Sequence, residues 1–228
     1  MTDCFAGAVA ERYDRAMVGI PVEPVVDFLL PLATGGALEL AVGTGRIAVP
    51  LAARGVRVTG IDLSPDMVAQ LRKKTDGIPV AVGDMTTTRV NEAFSVVYLV
   101  FNTIANLTTQ EAQAAAFGNA AVHLKPGGCF VIEADRLPDE RRRVFDLGDT
   151  HVGLDEYDPV TQRFVTDHFR RLPDGSWERL SVPCRAVSPA ELDLMARLAR
   201  LRLRERWADW DRSPFTTESP KHVSVWQK

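Results

Sequence analysis

The stretch LELAVGTGRIAVPLAARG, residues 38–55, places an apolar run directly before two glycines that stand two residues apart. The run predicts a buried strand, and the residues after Gly45 predict a helix that ends at Gly55. Gly43 and Gly45 let a ligand approach bare backbone, and the helix N-terminus offers free N–H groups to an anion. Residues 43–48 also fit the G-x-G-x-x-G/A dinucleotide fingerprint, so a nicotinamide cofactor is one candidate ligand.

Strand and helix patterns alternate along the chain around this turn. Strands are predicted at 37–41, 56–62, 78–84, 94–101 and 129–134, with helices between them and two more helices at 5–16 and 22–32. The KPGG sequence before residue 129 is predicted to turn the chain. Such alternation predicts an α/β fold with a doubly wound parallel sheet.

The pattern changes after residue 135. The segment RLPDERRRVFD is predicted to be a loop or a broken helix, and residues 151–187 contain three strand-like runs separated by turn sequences. These runs predict a small antiparallel β meander inserted into the α/β domain. Ser188-Pro189 then begins a helix that ends near Arg200, and the last strands are predicted at 201–207 and 221–226.

Composition narrows the class of protein. The chain has 228 residues, a hydrophobic fraction of 46% and a net charge of -3, which is typical of a globular enzyme without a basic nucleic-acid footprint. Three widely spaced cysteines with no CxxC predict neither a disulfide framework nor a metal site. The sequence shows no signal peptide and no apolar run long enough to span a bilayer, so we expect a cytoplasmic protein.

Chemically useful residues recur at the carboxyl ends of the predicted strands, where open α/β sheets bind ligands. Asp62 ends the second strand and can accept the two hydroxyls of a ribose. Asp84 and Met85 end the third strand, where an acid suits a base amino group and a thioether packs on an aromatic ring. Asn102 follows the fourth strand, near the expected position of a reacting group.

Glu39, four residues before Gly43, separates the two cofactor hypotheses. A negative charge there suits a ligand with an ammonium group, whereas repulsion and desolvation would both oppose a pyrophosphate. A cofactor with an α-amino acid tail, a ribose and an adenine matches the whole set. S-adenosylmethionine (SAM) has those three parts.

The motifs LELAVGTGRIAVPLAARG, VTGIDLSPDMVAQLRKK and PVAVGDMTT resemble those of class I SAM-dependent methyltransferases, and the likeness covers residues 37–134 most strongly. The resemblance implies a Rossmann-like seven-stranded sheet whose last strand is antiparallel. It also implies a helix carrying Tyr13 that closes over the cofactor. The implied cofactor-binding residues are Tyr13, Glu39, Ala41, Gly43, Gly45, Asp62, Leu63, Met67, Asp84, Met85, Phe101 and Asn102.

The resemblance further suggests the type of substrate. Methyltransferases of base amino groups carry [N/D]-P-P-[Y/F] after strand four, but this chain has Phe101-Asn102-Thr103-Ile104 there. We therefore expect a small-molecule acceptor, methylated on O or N, and no nucleic-acid or membrane partner. The inserted meander and residues 12–14 are similar to amino-sugar N-methyltransferases of antibiotic pathways. Similar enzymes also form dimers through such an insertion, so a homodimer is one expectation.

Methyl transfer is an in-line displacement for which alignment of the reactants can supply on the order of 7–11 kcal/mol. A base is optional, because a neutral amine attacks unaided whereas a hydroxyl gains from proton removal. His168, in the meander, is the best base candidate. Glu133, at the end of strand five, is a second candidate for substrate contact. His123 and His222 are interpreted as structural.

Two alternatives stay open from the residues alone. An NAD(P)-dependent oxidoreductase could use the same glycine turn, although no Tyr-x-x-x-Lys pair occurs in the sequence. A non-catalytic SAM-binding protein would keep the turn and the acids without turnover.

Four segments are expected. Residues 1–34 cap the cofactor site, 35–140 form the SAM-binding core, 141–187 form the insertion over the acceptor pocket, and 188–228 complete the core sheet.

Overall fold

A computed structural model describes residues 4–228. Its strands in chain order are β1 (Ala37–Leu40), β2 (Val58–Asp62), β3 (Val80–Val82), β4 (Phe94–Leu99), β5 (Leu124–Asp135), β6 (Arg142–Leu147), β7 (His151–Asp158), β8 (Arg163–Arg171), β9 (Trp177–Arg185), β10 (Arg202–Trp207) and β11 (Lys221–Gln227). Its α-helices are α1 (Ala8–Ala16), α2 (Glu23–Leu29), α3 (Ala48–Ala53), α4 (Pro65–Arg72), α5 (Gln110–His123) and α6 (Pro189–Leu198).

Seven strands form one sheet in the order β10-β11-β5-β4-β1-β2-β3. β1, β2, β3, β4 and β5 are parallel, whereas β11 runs antiparallel to both of its neighbours. The prediction of a doubly wound, Rossmann-like α/β fold with an antiparallel last strand is confirmed. The order reverses between β1 and β4, so a crevice for ligands lies at the carboxyl ends of these strands.

Local sequence signals explain where the main helices begin. Ser64 caps α4 by accepting a hydrogen bond from the Met67 N–H, and Thr109 caps α5 in the same way. Ser188 and Glu191 form a reciprocal capping box at the start of α6. Each cap precedes an apolar helix face that packs on the central sheet, so the caps fix where these helices enter the core.

Both faces of the central sheet are covered by apolar side chains. On one face the Phe117 ring of α5 lies 5.1 Å from that of Phe130 and 5.2 Å from that of Trp226, centre to centre. On the other face α2 and α3 contribute residues such as Leu29 and Leu51. No helix in the described part of the chain is long and apolar enough to cross a membrane.

A second sheet contains β6, β7, β8 and β9 in that order, all antiparallel. The antiparallel meander is confirmed, and it has one strand more than the sequence indicates. The prediction of a loop or broken helix after residue 135 is wrong for β6. All six residues of this edge strand are exposed, so it lacks the buried alternation that marks a strand in sequence.

The KPGG sequence differs from its prediction as well. It lies inside β5, where Leu124 pairs with Phe94 but Cys129 already pairs with Val96. The extra residues form a bulge, with Gly127 at φ +77°, rather than a turn between separate elements.

The buried Arg185 at the end of β9 joins the second sheet to the core. Its guanidinium donates to Gln113 of α5 at 2.6 Å, to Gln162 at 2.6 Å and to Glu191 of α6 at 2.8 Å. Gln113 returns a hydrogen bond to the Arg185 carbonyl. These bonds hold the β8–β9 wall at a fixed position above the carboxyl edge of the central sheet.

Replacing Arg185 tests this connection. We expect Arg185→Met to lower the free energy of unfolding by about 3–5 kcal/mol, because Glu191 loses its buried cationic partner. Arg197→Met, on the exposed face of α6, is the matched control and should change stability by less than about 0.5 kcal/mol. Urea unfolding of the two variants measures the difference, and equal midpoints would contradict the role of Arg185.

Candidate functional site

Two adjoining cavities lie at the carboxyl edge of the central sheet. The turn cavity, of about 660 Å³, is lined by the β1–α3 turn and the end of β2. The sheet cavity, of about 810 Å³, is lined by the second sheet and the segment after β5. The residues that line both cavities form what we call the junction, and they are Phe5, Tyr13, Phe101, Thr103, Asn106, Phe164, Val182 and Cys184.

The glycine turn has a backbone that requires small residues. Gly43 and Gly45 have φ of +55° and +78°, and Ala41 shares this left-handed conformation at +56°. A Cβ atom on Gly45 would lie 2.9 Å from Val49 and 3.0 Å from Leu71. Gly43 therefore opens backbone to the cavity, while Gly45 allows α3 and α4 to pack closely behind it.

Glu39 lies buried beneath the turn and lines the turn cavity. The Tyr98 hydroxyl donates a hydrogen bond to it at 3.0 Å. Burial raises the pKa of Glu39 to about 8, and the neighbouring Asp62 adds to the shift. The protein thus places a carboxyl group where a cationic partner would stabilise its charged form at neutral pH, in addition to the Tyr98 hydrogen bond and the charge of Arg46.

Asp62 is held in a fixed orientation at the end of β2. The Gly43 N–H donates to one carboxylate oxygen at 2.6 Å, and the Ser64 N–H donates to the other at 2.8 Å. The side chain lines the turn cavity between the glycine turn and the start of α4, with Leu63 and Met67 beside it. Such a carboxylate can accept hydroxyl groups on the lone pairs that the backbone leaves open.

Arg46, which the sequence analysis did not single out, also lines the turn cavity. Its guanidinium lies 3.7 Å from the centre of the Phe101 ring, and its Nη2 is buried without a hydrogen-bond partner in the described structure. Burial lowers the pKa of Arg46. A half-buried cation of this kind is suited to an anionic group of a ligand. The only sequence signal is a basic residue directly after Gly45.

Known proteins match this chain in sequence and in fold. A family model described as a methyltransferase domain matches residues 37–128. The structure of the CcbJ methyltransferase from Streptomyces caelestis is 34% identical, with a TM-score of 0.86, over 96% of this chain and 95% of that one. The chain belongs to the class I SAM-dependent methyltransferase family. The cofactor of the family is SAM, and the comparisons do not support the nicotinamide alternative.

Curated relatives match this chain over part of their length. A dTDP-3-amino-3,4,6-trideoxy-alpha-D-glucopyranose N,N-dimethyltransferase of Streptomyces venezuelae is 33% identical over 45% of this chain and 43% of its own. A dTDP-3-amino-3,6-dideoxy-alpha-D-glucopyranose N,N-dimethyltransferase of Streptomyces fradiae is 33% identical over 59% of this chain and 56% of its own. The match thus spans about half the length of these two relatives.

The end of β4 in this methyltransferase is strained. Phe101 and Asn102 have φ of +61° and +52°, a conformation that non-glycine residues rarely adopt. The Phe101 N–H donates to Glu133 at 2.8 Å, and Asn102 exchanges two hydrogen bonds with Asp135. These bonds to β5 keep the backbone in place and set the Phe101 ring against Arg46 at the junction.

Glu133 lies near the carboxyl end of β5, where the sequence analysis placed it. It lines neither cavity. One oxygen accepts from Phe101, and the other accepts from Trp210 at 3.2 Å and Lys221 at 2.8 Å. The structure therefore favours a positioning role for Glu133, which holds the Phe101 backbone, over a catalytic contact.

Helix α1 covers the turn cavity. Tyr13 faces the junction, and the adjacent Asp14 accepts a hydrogen bond from the Thr44 hydroxyl at 2.6 Å and pairs with Lys74 at 2.5 Å. Lys74 also donates to the Thr44 carbonyl. The glycine turn is thus tied directly to the helix above it.

The structure brings together most of the predicted cofactor-binding residues. Nine of them line the turn cavity, and these are Tyr13, Glu39, Ala41, Gly43, Asp62, Leu63, Met67, Met85 and Phe101. Asn102 lines only the sheet cavity, and Gly45 and Asp84 line neither. Asp84 instead accepts from the Thr86 N–H and hydroxyl, which fixes the turn after β3. Contact of each residue with the cofactor stays a prediction.

His168 follows Phe164 by four residues on β8, and its cross-strand neighbour Leu180 is two residues from Val182 of the junction. The role of base that was predicted for it stays a prediction. His168 lines the sheet cavity but not the turn cavity. The structure also contains no cluster of metal-ligating side chains among residues 4–228.

The raised pKa of Glu39 predicts how stability depends on pH. The unfolded chain releases this proton near the usual pKa of 4.5, whereas the folded protein keeps it up to about pH 8. Glu39 therefore stabilises the fold fully only below pH 4.5, and this contribution is lost as the pH rises toward 8.

We expect Glu39→Gln, which cannot ionise, to unfold at a higher temperature than the wild type. The free energy of unfolding of Glu39→Gln should exceed that of the wild type by an amount that grows by a few kcal/mol between pH 4.5 and pH 8 and then levels off. Thermal unfolding of the ligand-free protein across this range measures it. Asp76→Gln, an exposed carboxylate, is the control. A difference between Glu39→Gln and wild type that does not change with pH would contradict the shift.

Proposed function

We propose that this protein transfers the methyl group of SAM to a nitrogen atom of a small molecule. The observation that carries the proposal is the meeting of the two cavities at the junction. The turn cavity offers groups suited to the cofactor, and the sheet cavity leaves space for an acceptor beside it. We also propose that residues 1–34 cap the cofactor and that residues 141–187 shape the acceptor pocket.

The residues of the turn cavity fit SAM group by group. Asp62 suits the two ribose hydroxyls, and Met85 suits the adenine ring. Glu39 suits the ammonium of the amino acid tail, and Arg46 suits its carboxylate. When bound, SAM supplies a methyl group on a positively charged sulfur.

The junction favours an amine over a hydroxyl as acceptor. Its only titratable groups in the described structure are Tyr13 and Cys184. Burial raises the pKa of both, to about 12 for Cys184. Neither is a base that would remove a proton from a hydroxyl near neutral pH. A neutral amine needs no such base, so alignment and exclusion of water by the junction walls are sufficient.

The names of relatives support the same acceptor class. Two are named N,N-dimethyltransferases of amino sugars, and the Streptomyces sp relative, 26% identical over 87% of this chain, is named cypemycin N-terminal methyltransferase. Amino groups on small or medium-sized molecules are common to these names. We therefore propose an amine-bearing metabolite as acceptor, and we expect no nucleic-acid partner, since the net charge of -3 does not favour one, and a homodimer as the assembly.

Binding calorimetry with S-adenosylhomocysteine and, separately, NADH tests the cofactor. We expect S-adenosylhomocysteine to bind and NADH not to bind. Asp62→Asn should lose about 10–100-fold in affinity, because a charge-assisted contact to hydroxyl groups is removed. Asp76→Asn keeps full affinity as the control. Binding of NADH alone would refute the proposal.

Arg46 allows a second test, which concerns the amino acid tail. We expect Arg46→Met to weaken the binding of S-adenosylhomocysteine about 10–100-fold, since the half-buried cation no longer meets the carboxylate. The same variant should bind 5′-methylthioadenosine, which lacks the amino acid tail, as the wild type does.

Arg54→Met, an exposed arginine on the same side of the sheet, is the matched control. If Arg46→Met loses equal affinity for S-adenosylhomocysteine and 5′-methylthioadenosine, Arg46 maintains the shape of the cavity and does not contact the carboxylate. The measurement is calorimetry on folded variants at equal concentration.

A further inference from the structure

The far end of the sheet cavity has an unpaired positive charge. Thr166, His168 and Arg170 line it together, because alternate residues of β8 face the same side. Arg170 is half-buried and forms no ion pair within the described chain. The three other arginines that line this cavity each have a carboxylate partner, as Arg12–Glu178, Arg136–Asp139 and Arg143–Asp155.

A chain of hydrogen bonds supports the imidazole next to Arg170. Asp146 lies 2.5 Å from Nδ1 of His151, and Nε2 of His151 lies 3.0 Å from Nδ1 of His168. Since a carboxylate only accepts, His151 donates from Nδ1 and accepts at Nε2, so His168 donates from Nδ1. Nε2 of neutral His168 then carries the lone pair and has no protein partner in the described structure.

Protonation of His168 would convert this nitrogen into a donor. The new charge would be supported through His151 by the carboxylate of Asp146. The Phe145 ring packs edge-on against the His168 ring and restricts its position. Phe145 in turn lies over Gly153, where a Cβ atom would lie 2.2 Å from the Phe145 ring, so only glycine leaves room for it. The bulge between Val144 and Asp146 sets Phe145 in that position.

We propose that His168 and Arg170 form a proton-coupled subsite for an oxyanion, such as a carboxylate or phosphate group, on the acceptor molecule. That the oxyanion belongs to a methyl acceptor rests on the proposed function, whereas the anion site itself does not. The subsite lies beyond Phe164 and Val182 of the junction along β8 and β9, so it selects an acceptor with an amine at one end and an anionic group toward the other.

Charges on every neighbouring strand are consistent with an anion at this place. Asp155 of β7 is engaged by Arg143 and Thr166, Asp167 of β8 by Arg179, and Glu178 of β9 by Arg12. Asp146 of β6 is engaged by His151. These four acids therefore have partners. Glu178 lies directly opposite Arg170 in the β8–β9 pairing, but its ion pair is with Arg12, and Arg170 forms none in the described structure. Asp135, which is hydrogen-bonded to Asn102, and the exposed Glu140 line the same cavity from the segment after β5.

Proton uptake is the distinctive consequence. Burial, His151 and Arg170 all lower the pKa of His168, so the free site holds a neutral ring near neutral pH. A bound anion stabilises the charged ring and raises this pKa. Anion binding should therefore take up a proton and become stronger as the pH falls toward the free pKa of His168.

Sulfate is the first probe, because its charge stays constant over this pH range, and acetate is the second. Each is titrated into the full chain at constant ionic strength, while the imidazole signals of His168 are followed by NMR. We expect saturable binding that raises the pKa of His168. Stronger binding of sulfate would indicate a phosphate-like group on the acceptor, and stronger binding of acetate a carboxylate.

Variants separate the subsite from general effects of charge. Arg170→Ala should weaken sulfate about tenfold, whereas Arg171→Ala, the exposed next residue on the other face of β8, should not. His168→Gln should retain part of the affinity and lose the proton uptake. Sulfate shifts that do not saturate, or equal affinities for Arg170→Ala and Arg171→Ala, would overturn the proposal.

A parallel titration with S-adenosylhomocysteine keeps the two proposals apart. All these variants should bind it as the wild type does, because His168 and Arg170 do not line the turn cavity. Failure of the wild type to bind it would count against the proposed function, while the sulfate result would still decide the anion subsite.

Discussion

The short hydrogen bond from the Gly43 N–H to Asp62 is the contact on which the site depends. It joins the turn after β1 to the end of β2, and the Ser64 N–H fixes the same carboxylate from the start of α4. Three elements are thereby held around one acid. Because the turn cannot shift, Glu39 below it and Arg46 beyond it keep a constant separation, and both line one cavity.

Much of this arrangement follows from the sequence because its signals are local. The glycine turn, the serine and threonine caps and the acids at strand ends each depend on a few adjacent residues, and the parallel sheet brings them to one edge. β6 could not be recognised, since an exposed edge strand has no buried period. The role of Arg46 and the hydrogen-bond partners of Glu133 were missed for a different reason, because each is defined by contacts with residues far along the chain.

His168 is a residue whose type could be selected from the sequence but whose surroundings could not. Its place in the insertion predicted that it lies near the acceptor pocket, and in the structure it lines the sheet cavity. The place of β8 over the carboxyl edge of the central sheet depends on tertiary packing, and Arg185 fixes it through contacts with α5 and α6. Sequence gives the order of the residues along β8, but which of them face the acceptor pocket and where they lie in it come from that packing.

The turn cavity has two groups whose charged forms are only partly stabilised by the protein. Glu39 is a buried acid with a pKa raised to about 8, and Arg46 is a half-buried cation whose Nη2 lacks an acceptor in the described structure. The charge of Arg46 lowers the pKa of Glu39, but the two side chains do not form an ion pair with each other in the described structure. A zwitterionic amino acid tail would complete both at once, whereas a ligand with only one of the charges would leave the second uncompensated. Because Glu39 and Arg46 do not pair with each other, the turn cavity favours a ligand with both an ammonium and a carboxylate over a ligand that carries only one of them.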